Sequence, residues 1–169
     1  MPDSAELETL CQQLAQALQQ RGWMMATAES CTGGLIAAAC TDLSGSSVWF
    51  ERGFVTYSNL AKQQMLGVPE SLLIAHGAVS EPVAVAMAQG AVQHSAAQVA
   101  LSVTGIAGPS GGTADKPVGT VWFGWQVAGR TFSEHHLLAG DRTQVRAQTV
   151  QIALAGLLQR VRTSGQTTS

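Results

Sequence analysis

Three stretches of the chain carry residue types that can do chemistry. The first is Ala26-Thr27-Ala28-Glu29-Ser30-Cys31-Thr32-Gly33-Gly34, where hydroxyls, a carboxylate and a thiol run into two glycines. It follows the short apolar run Trp23-Met24-Met25, read as a strand, and precedes Leu35-Ile36-Ala37-Ala38-Ala39-Cys40, read as a buried helix. The first N–H groups of a helix lack intrahelical acceptors and carry the positive end of its dipole. Glycines there let a phosphate or an oxyanion approach the backbone. A nucleophile at that point, Ser30 or Cys31, sits beside oxyanion donors. The competing reading is a Ser- or Thr-capped helix that starts with Gly-Gly.

The second stretch is the loop Gly105-Ile106-Ala107-Gly108-Pro109-Ser110-Gly111-Gly112, leaving the carboxyl end of the strand-like run Val99–Thr104. Ligands bind at such strand ends in open α/β sheets, although adaptable glycines also suit a plain surface turn. The third is Lys62, one helical turn after Tyr57-Ser58-Asn59. As a base it must be neutral, which takes a desolvated pocket or a neighbouring cation; otherwise it is a solvated helix lysine. Ser58, four residues before Lys62, is a rival nucleophile on spacing alone. Tyr57 reads as a packing residue or a polar relay.

Several chemistries find no support. There is no P-loop spacing, no G-x-G-x-x-G fingerprint, and Ser30 is not in a G-x-S-x-G elbow. His76 and His94 fall at predicted helix ends, while His135 and His136 point to opposite faces of a strand. No metal and no organic cofactor is expected. Cys31 at a helix start is expected to have a lowered pKa, yet no histidine stands identifiably near it, so Ser30 with Lys62 is the more economical pair.

The elements that must position these residues follow from periodicity and punctuation. Asp3–Glu6 has capping chemistry, Leu7, Leu10, Leu14 and Leu18 follow at helical spacing, and Gly22 ends that helix. The second helix is predicted to stop near Ser44-Gly45. Phe54–Tyr57 reads as a strand, and Ser58-Asn59 caps a short helix with Met65 and Leu66 inward and Gly67 closing it. Further helices are predicted from Pro69 to Ala75 and, capped by Ser80, from Glu81 to about His94. Val99–Thr104 reads as a strand buried on both faces. Val118–Val127 and Thr131–Leu138 form a hairpin around Ala128–Arg130. Asp141 caps the last helix, whose Val145, Ile152, Leu157 and Val161 cover the sheet.

The alternation predicts one α/β domain over residues 1–163, a layered α/β/α sandwich with a mixed sheet, and a polar, flexible tail over 164–169. Hydrophobic residues make up 46% and charged residues 12% of the 169, which leaves much of the surface neutral and suits a homo-oligomer. A net charge of -2 argues against nucleic-acid or anionic-membrane partners. The three cysteines lack C-x-x-C spacing, no apolar run reaches membrane length and no signal peptide is legible, so a cytoplasmic location is expected.

Four separated motifs carry a family resemblance. Thr27–Gly34, Gly53–Asn59 with Lys62, Gly77–Ser80, and Thr104–Pro109 with Lys116–Val121 together resemble the CinA C-terminal domain family, over nearly the whole chain. Stand-alone members of that family are nicotinamide-nucleotide amidases. The resemblance implies hydrolysis of nicotinamide mononucleotide to nicotinate mononucleotide and ammonia, with Ser30 as nucleophile, Lys62 as base and Tyr57 beside them. It further implies substrate binding by Gly33, Gly34 and the turn Thr104, Gly105, Ala107 and Gly108, with oxyanion donors near Thr32-Gly33-Gly34. Arg142, at the start of the last helix, or the Gly33-Gly34 amides are expected to meet the substrate phosphate. Ala97-Gln98 and Ser110 depart from frequent acidic residues in relatives, which bears on substrate orientation. The larger preceding domain of two-domain relatives has no counterpart here. The contrasting expectation is a nucleotide-binding module without catalysis, acting in competence or damage responses through a protein partner.

Overall fold

In the computed structural model, which describes residues 3–165, five strands form one mixed sheet. They are β1 (Met25–Glu29), β2 (Phe50–Val55), β3 (Val99–Gly105), β4 (Thr120–Val127) and β5 (Arg130–Leu137), ordered β2-β1-β3-β4-β5. β1 pairs in parallel with β2 and β3, and the last two strands run antiparallel. Helices α1 (Ser4–Arg21), α2 (Leu35–Thr41) and α6 (Arg142–Thr163) cover one face, and α3 (Asn59–Leu66), α4 (Glu70–His76) and α5 (Glu81–Gln93) the other. This is the expected α/β/α sandwich. Among the described residues no helix is long and apolar enough to cross a membrane.

Strand alternation explains how the layers differ. Met25, Val99, Leu101, Val103, Val121, Phe123 and Trp125 join the core beneath α1, α2 and α6. The opposite face offers small residues, Ala26, Ala28, Ala100 and Ser102, so α5 comes very close. Ser102 Oγ donates to the Ala84 carbonyl at 2.6 Å, and a Cβ on Gly124 would lie 2.6 Å from that same oxygen. Large side chains on one face and small ones on the other fit a period-two strand buried on both sides.

Several boundaries move from their expected places. Of Trp23-Met24-Met25 only Met25 is in the strand, because the stretch to Glu29 is paired on both edges and is itself β1. β2 ends at Val55, opposite Glu29, where the β1 partner ends; Thr56 N still donates to Glu29 O, and the chain then turns into the Ser58 cap. α2 stops at Thr41. Met65 is 40% exposed while Lys62 and Leu66 face inward, since residues four apart share a helix face. The hairpin turn is the two residues Ala128 and Gly129, both at positive φ, so β5 begins at Arg130. Arg21 donates to both the hydroxyl and the carbonyl of Ser164, tying the end of α6 to α1. The rest of the expected tail, 166–169, lies outside the described residues.

Trp125 fixes the α6 layer: its Nε1 donates to Ala153 O and a Cβ on Gly156 would come within 2.2 Å of its ring. Gly156→Ala is therefore expected to destabilise the fold by about 1–3 kcal/mol through overpacking. Urea unfolding checks this, as a lowered midpoint at unchanged slope.

Candidate active site

Because side chains alternate along β1, consecutive residues at its end take opposite jobs. Glu29 faces the α2 side and Ser30, just past the strand, faces α3. Lys62 Nζ lies 2.9 Å from Ser30 Oγ across 32 residues of chain, and also donates to Thr56 O at 2.9 Å and Tyr57 O at 3.3 Å. The lysine is 1% exposed, and burial, which disfavours the ammonium form, pulls its pKa from 10.5 down to about 8. A neutral amine here can keep two N–H bonds to the carbonyls and turn its lone pair to the serine hydroxyl. That is the geometry of a nucleophile and its base.

The rival nucleophiles are otherwise engaged. Ser58 is the N-cap of α3, its Oγ accepting from Ala61 N at 3.0 Å. Cys31 does not have the lowered pKa expected of it. Burial raises it to about 11, so it stays a thiol at neutral pH. The neighbouring Glu29, at the start of α2, pushes the thiol in the same direction. Glu29, fully buried, accepts from Thr32 Oγ1 at 2.6 Å, Ile36 N at 2.9 Å and Ala37 N at 3.0 Å.

That carboxylate changes the picture of the first motif. The α2 N-terminus holds an internal anion, and Gly33 N donates to Ser30 O, closing the turn. Arg146 Nε and Nη2 donate to the carbonyls of Cys31 and Thr32, each at 3.1 Å, bracing the turn from α6. Thr32, Gly33 and Gly34 do not line the cleft in front of Ser30. The Cys31 amide, which follows Ser30, has no oxygen acceptor among the described residues, and of the residues in this turn with a free amide Cys31 is the one that lines the cleft.

The cleft, of about 190 Å³, lies beyond the carboxyl ends of β1, β2 and β3. Ser30, Cys31, Lys62, Thr104, Gly105 and Ala107 form its inner wall, with Tyr57, Asn59 and Arg142 nearer the mouth. Arg142 donates to Gly108 O at 2.9 Å and to the Tyr57 hydroxyl at 3.2 Å. Tyr57, 63% exposed, is thus no packing residue; its ring leads to Arg142, and only its carbonyl touches Lys62. Gly108 itself does not line the cleft. A Cβ there would meet Val118 at 2.4 Å, and one on Gly112 would meet Val118 at 2.9 Å. These loop glycines allow close packing around Val118.

Sequence reasoning missed Asn59, Ala78 and Val79 on the cleft wall and Arg146 behind it. Asn59 precedes Lys62 by three residues and Arg146 follows Arg142 by four, so helical spacing was a usable signal for both. Of the histidines, His76 ends α4 and His94 is the C-cap of α5. His135 stacks on Trp122 and His136 meets Glu134.

The profile described as the CinA C-terminal domain matches residues 7–161. The chain is 55% identical over 160 residues to the nicotinamide-nucleotide amidohydrolase PncC of Escherichia coli, covering 94% of this chain and 96% of that one. Over 153 residues it is 52% identical to the protein of the same name from Pseudomonas putida, covering 90% and 96%. Among solved structures, the competence/damage inducible protein CihA from Agrobacterium tumefaciens superposes with a TM-score of 0.90 at 43% identity, over 96% of this chain and 98% of that chain.

Proposed function

The chain belongs to the CinA C-terminal domain family, and from that premise we propose that it hydrolyses the carboxamide of nicotinamide mononucleotide to nicotinate mononucleotide and ammonia, as its curated relatives' name implies of them. The observation that carries the reading is the buried Ser30–Lys62 contact, 2.9 Å long, with an amine whose pKa lies near the working range of a base.

In this reading Ser30 Oγ attacks the carboxamide carbon while neutral Lys62 takes the hydroxyl proton. The Cys31 amide steadies the oxyanion of the tetrahedral intermediate. The C–N bond then breaks, Lys62 returns the proton to the nitrogen, and ammonia leaves an ester on Ser30. A water enters, gives its proton to Lys62 and attacks the ester; collapse frees the carboxylate and returns the proton to Ser30. No step needs a metal or an organic cofactor. Purified protein in excess chelator should release ammonia from nicotinamide mononucleotide, measured with a coupled assay. Binding of the nucleotide without release would instead support a non-catalytic nucleotide-binding module.

Arg142 is the residue proposed to hold the phosphate. It stands at the cleft mouth with two of its five N–H groups engaged, leaving others to an anion. Arg142→Ala should raise KM for the mononucleotide by roughly 10- to 100-fold, the worth of a charged hydrogen bond. The nucleoside without phosphate should be nearly unaffected. Equal effects on both substrates would remove the assignment.

A further inference from the structure

Ser30 and Thr104 are neighbours across the sheet. β1 and β3 run parallel with Glu29 opposite Val103, and Ser30 N carries the ladder one step further by donating to Val103 O at 3.1 Å. Ser30 and Thr104 are the next residues, side by side on chain segments about 4.8 Å apart. Both side chains turn to the layer of α3, α4 and α5. Ser30 Oγ meets Lys62 of α3, and Thr104 Oγ1 meets the Ala78 carbonyl between α4 and α5. Both residues are buried and both line the cleft.

The partner of Thr104 fixes what its hydroxyl can do. A carbonyl only accepts, so the Thr104 hydrogen is committed to Ala78 O at 2.9 Å. What remains on Oγ1 is lone-pair capacity, which no donor among the described residues uses. Beside the serine there is thus a buried group that accepts a hydrogen bond and does not give one. A primary carboxamide has use for it. Its oxygen accepts, and with that oxygen on the Cys31 amide its NH₂ still has hydrogens to place. An ester or a carboxylate has none, and would set lone pair against lone pair at Thr104.

We infer that Thr104 is a specificity-determining residue that accepts a hydrogen bond from the carboxamide NH₂ of the substrate and so selects an amide over the corresponding ester or acid; this rests on the amidase reading above. Because Ala78 O holds its hydrogen, Thr104 supplies no proton to the departing nitrogen, and that step stays with Lys62.

The test follows formation of nicotinate mononucleotide by chromatography, from nicotinamide mononucleotide and from the methyl ester of nicotinate mononucleotide, which has no N–H. Thr104→Val keeps the shape and removes the hydroxyl. It should lower kcat/KM for the amide roughly three- to ten-fold, the worth of a neutral hydrogen bond, and leave the ester nearly unchanged. Thr104→Ser, which keeps the hydroxyl, should behave as wild type on both. An equal loss on amide and ester would mean that Thr104 only holds the Ala78 wall, and overturns the inference, as does an unchanged rate on the amide. A second measurement needs no change at Thr104. By calorimetry, Ser30→Ala should bind nicotinamide mononucleotide roughly three- to ten-fold more tightly than its methyl-ketone analogue, which keeps the carbonyl and lacks the NH₂. Equal affinities overturn the inference while leaving the amidase reading intact. Failure of the wild type to convert the amide overturns the amidase reading and this inference with it.

Discussion

Ser30→Ala is expected to lower kcat by roughly four orders of magnitude or more, the usual consequence of removing a covalent nucleophile. The fold should survive. Ser30 is small, and Lys62 keeps the Thr56 and Tyr57 carbonyls when the hydroxyl goes. Cys31→Ala should by contrast retain most of the activity, because burial holds that thiol protonated up to about 11 and its side chain has no base. The decisive measurement is mass spectrometry after rapid quench, which should find the acyl group of nicotinate mononucleotide, ribose phosphate included, as an ester on the peptide containing Ser30. Full turnover in Ser30→Ala, or an adduct on Cys31 or Ser58, would falsify the assignment.

Lys62→Arg is expected to be nearly as inactive as the serine variant, although the charge is kept. Arginine does not deprotonate in proteins, so it cannot take the hydroxyl proton. In the proposed mechanism the active form is the neutral amine, whose pKa burial lowers to about 8. As pH falls below that value the amine is protonated, and kcat/KM should drop about tenfold per pH unit. An acidic limb near 8 that disappears in Lys62→Arg, together with its residual rate, is the expected profile. A lysine acting only through its charge would leave Lys62→Arg substantially active.

The same burial affects stability, and the sign differs from that of a paired lysine. The folded pKa is below the unfolded value, so the unfolded chain binds more protons between about 8 and 10.5. The cost of burying the amine is complete below pH 8 and fades as pH rises to 10.5. Compared with Lys62→Met, the wild type should gain about 3 kcal/mol across that window. Urea unfolding of both proteins at several pH values measures it, and the comparison cancels contributions from groups that do not interact with Lys62.

Local chemistry was enough to place most elements. Asp141 caps α6 with a full capping box to Gln144, Ser58 caps α3, and Gly22 and Gly67 close α1 and α3 in the left-handed conformation. Each of these acts over four residues or fewer, so it is written in adjacent letters. The nearly continuous apolar run Val99–Thr104 likewise foretold a strand buried on both faces. Motif order along the chain was enough to indicate the family. The strand limits were less legible, since where β1 and β2 end depends on their mutual register, which neither run contains alone.

What the tertiary structure alone decided is which of these local features meet. Ser30, Lys62, Thr104 and Arg142 come from four distant segments, and the order β2-β1-β3 brings three of them to one end of the sheet. Strand parity decided that Ser30 rather than Glu29 faces the lysine; a shift of one residue would exchange them. The burial that lowers the pKa of Lys62 belongs to the packed cleft, and its letter is the same as that of a solvated lysine. The start of α2, which the sequence offered as an anion site, is closed by Glu29 only because the turn through Thr32 folds that carboxylate back onto Ile36 and Ala37. Such contacts depend on how segments pack in three dimensions, and composition or spacing along the chain does not determine them.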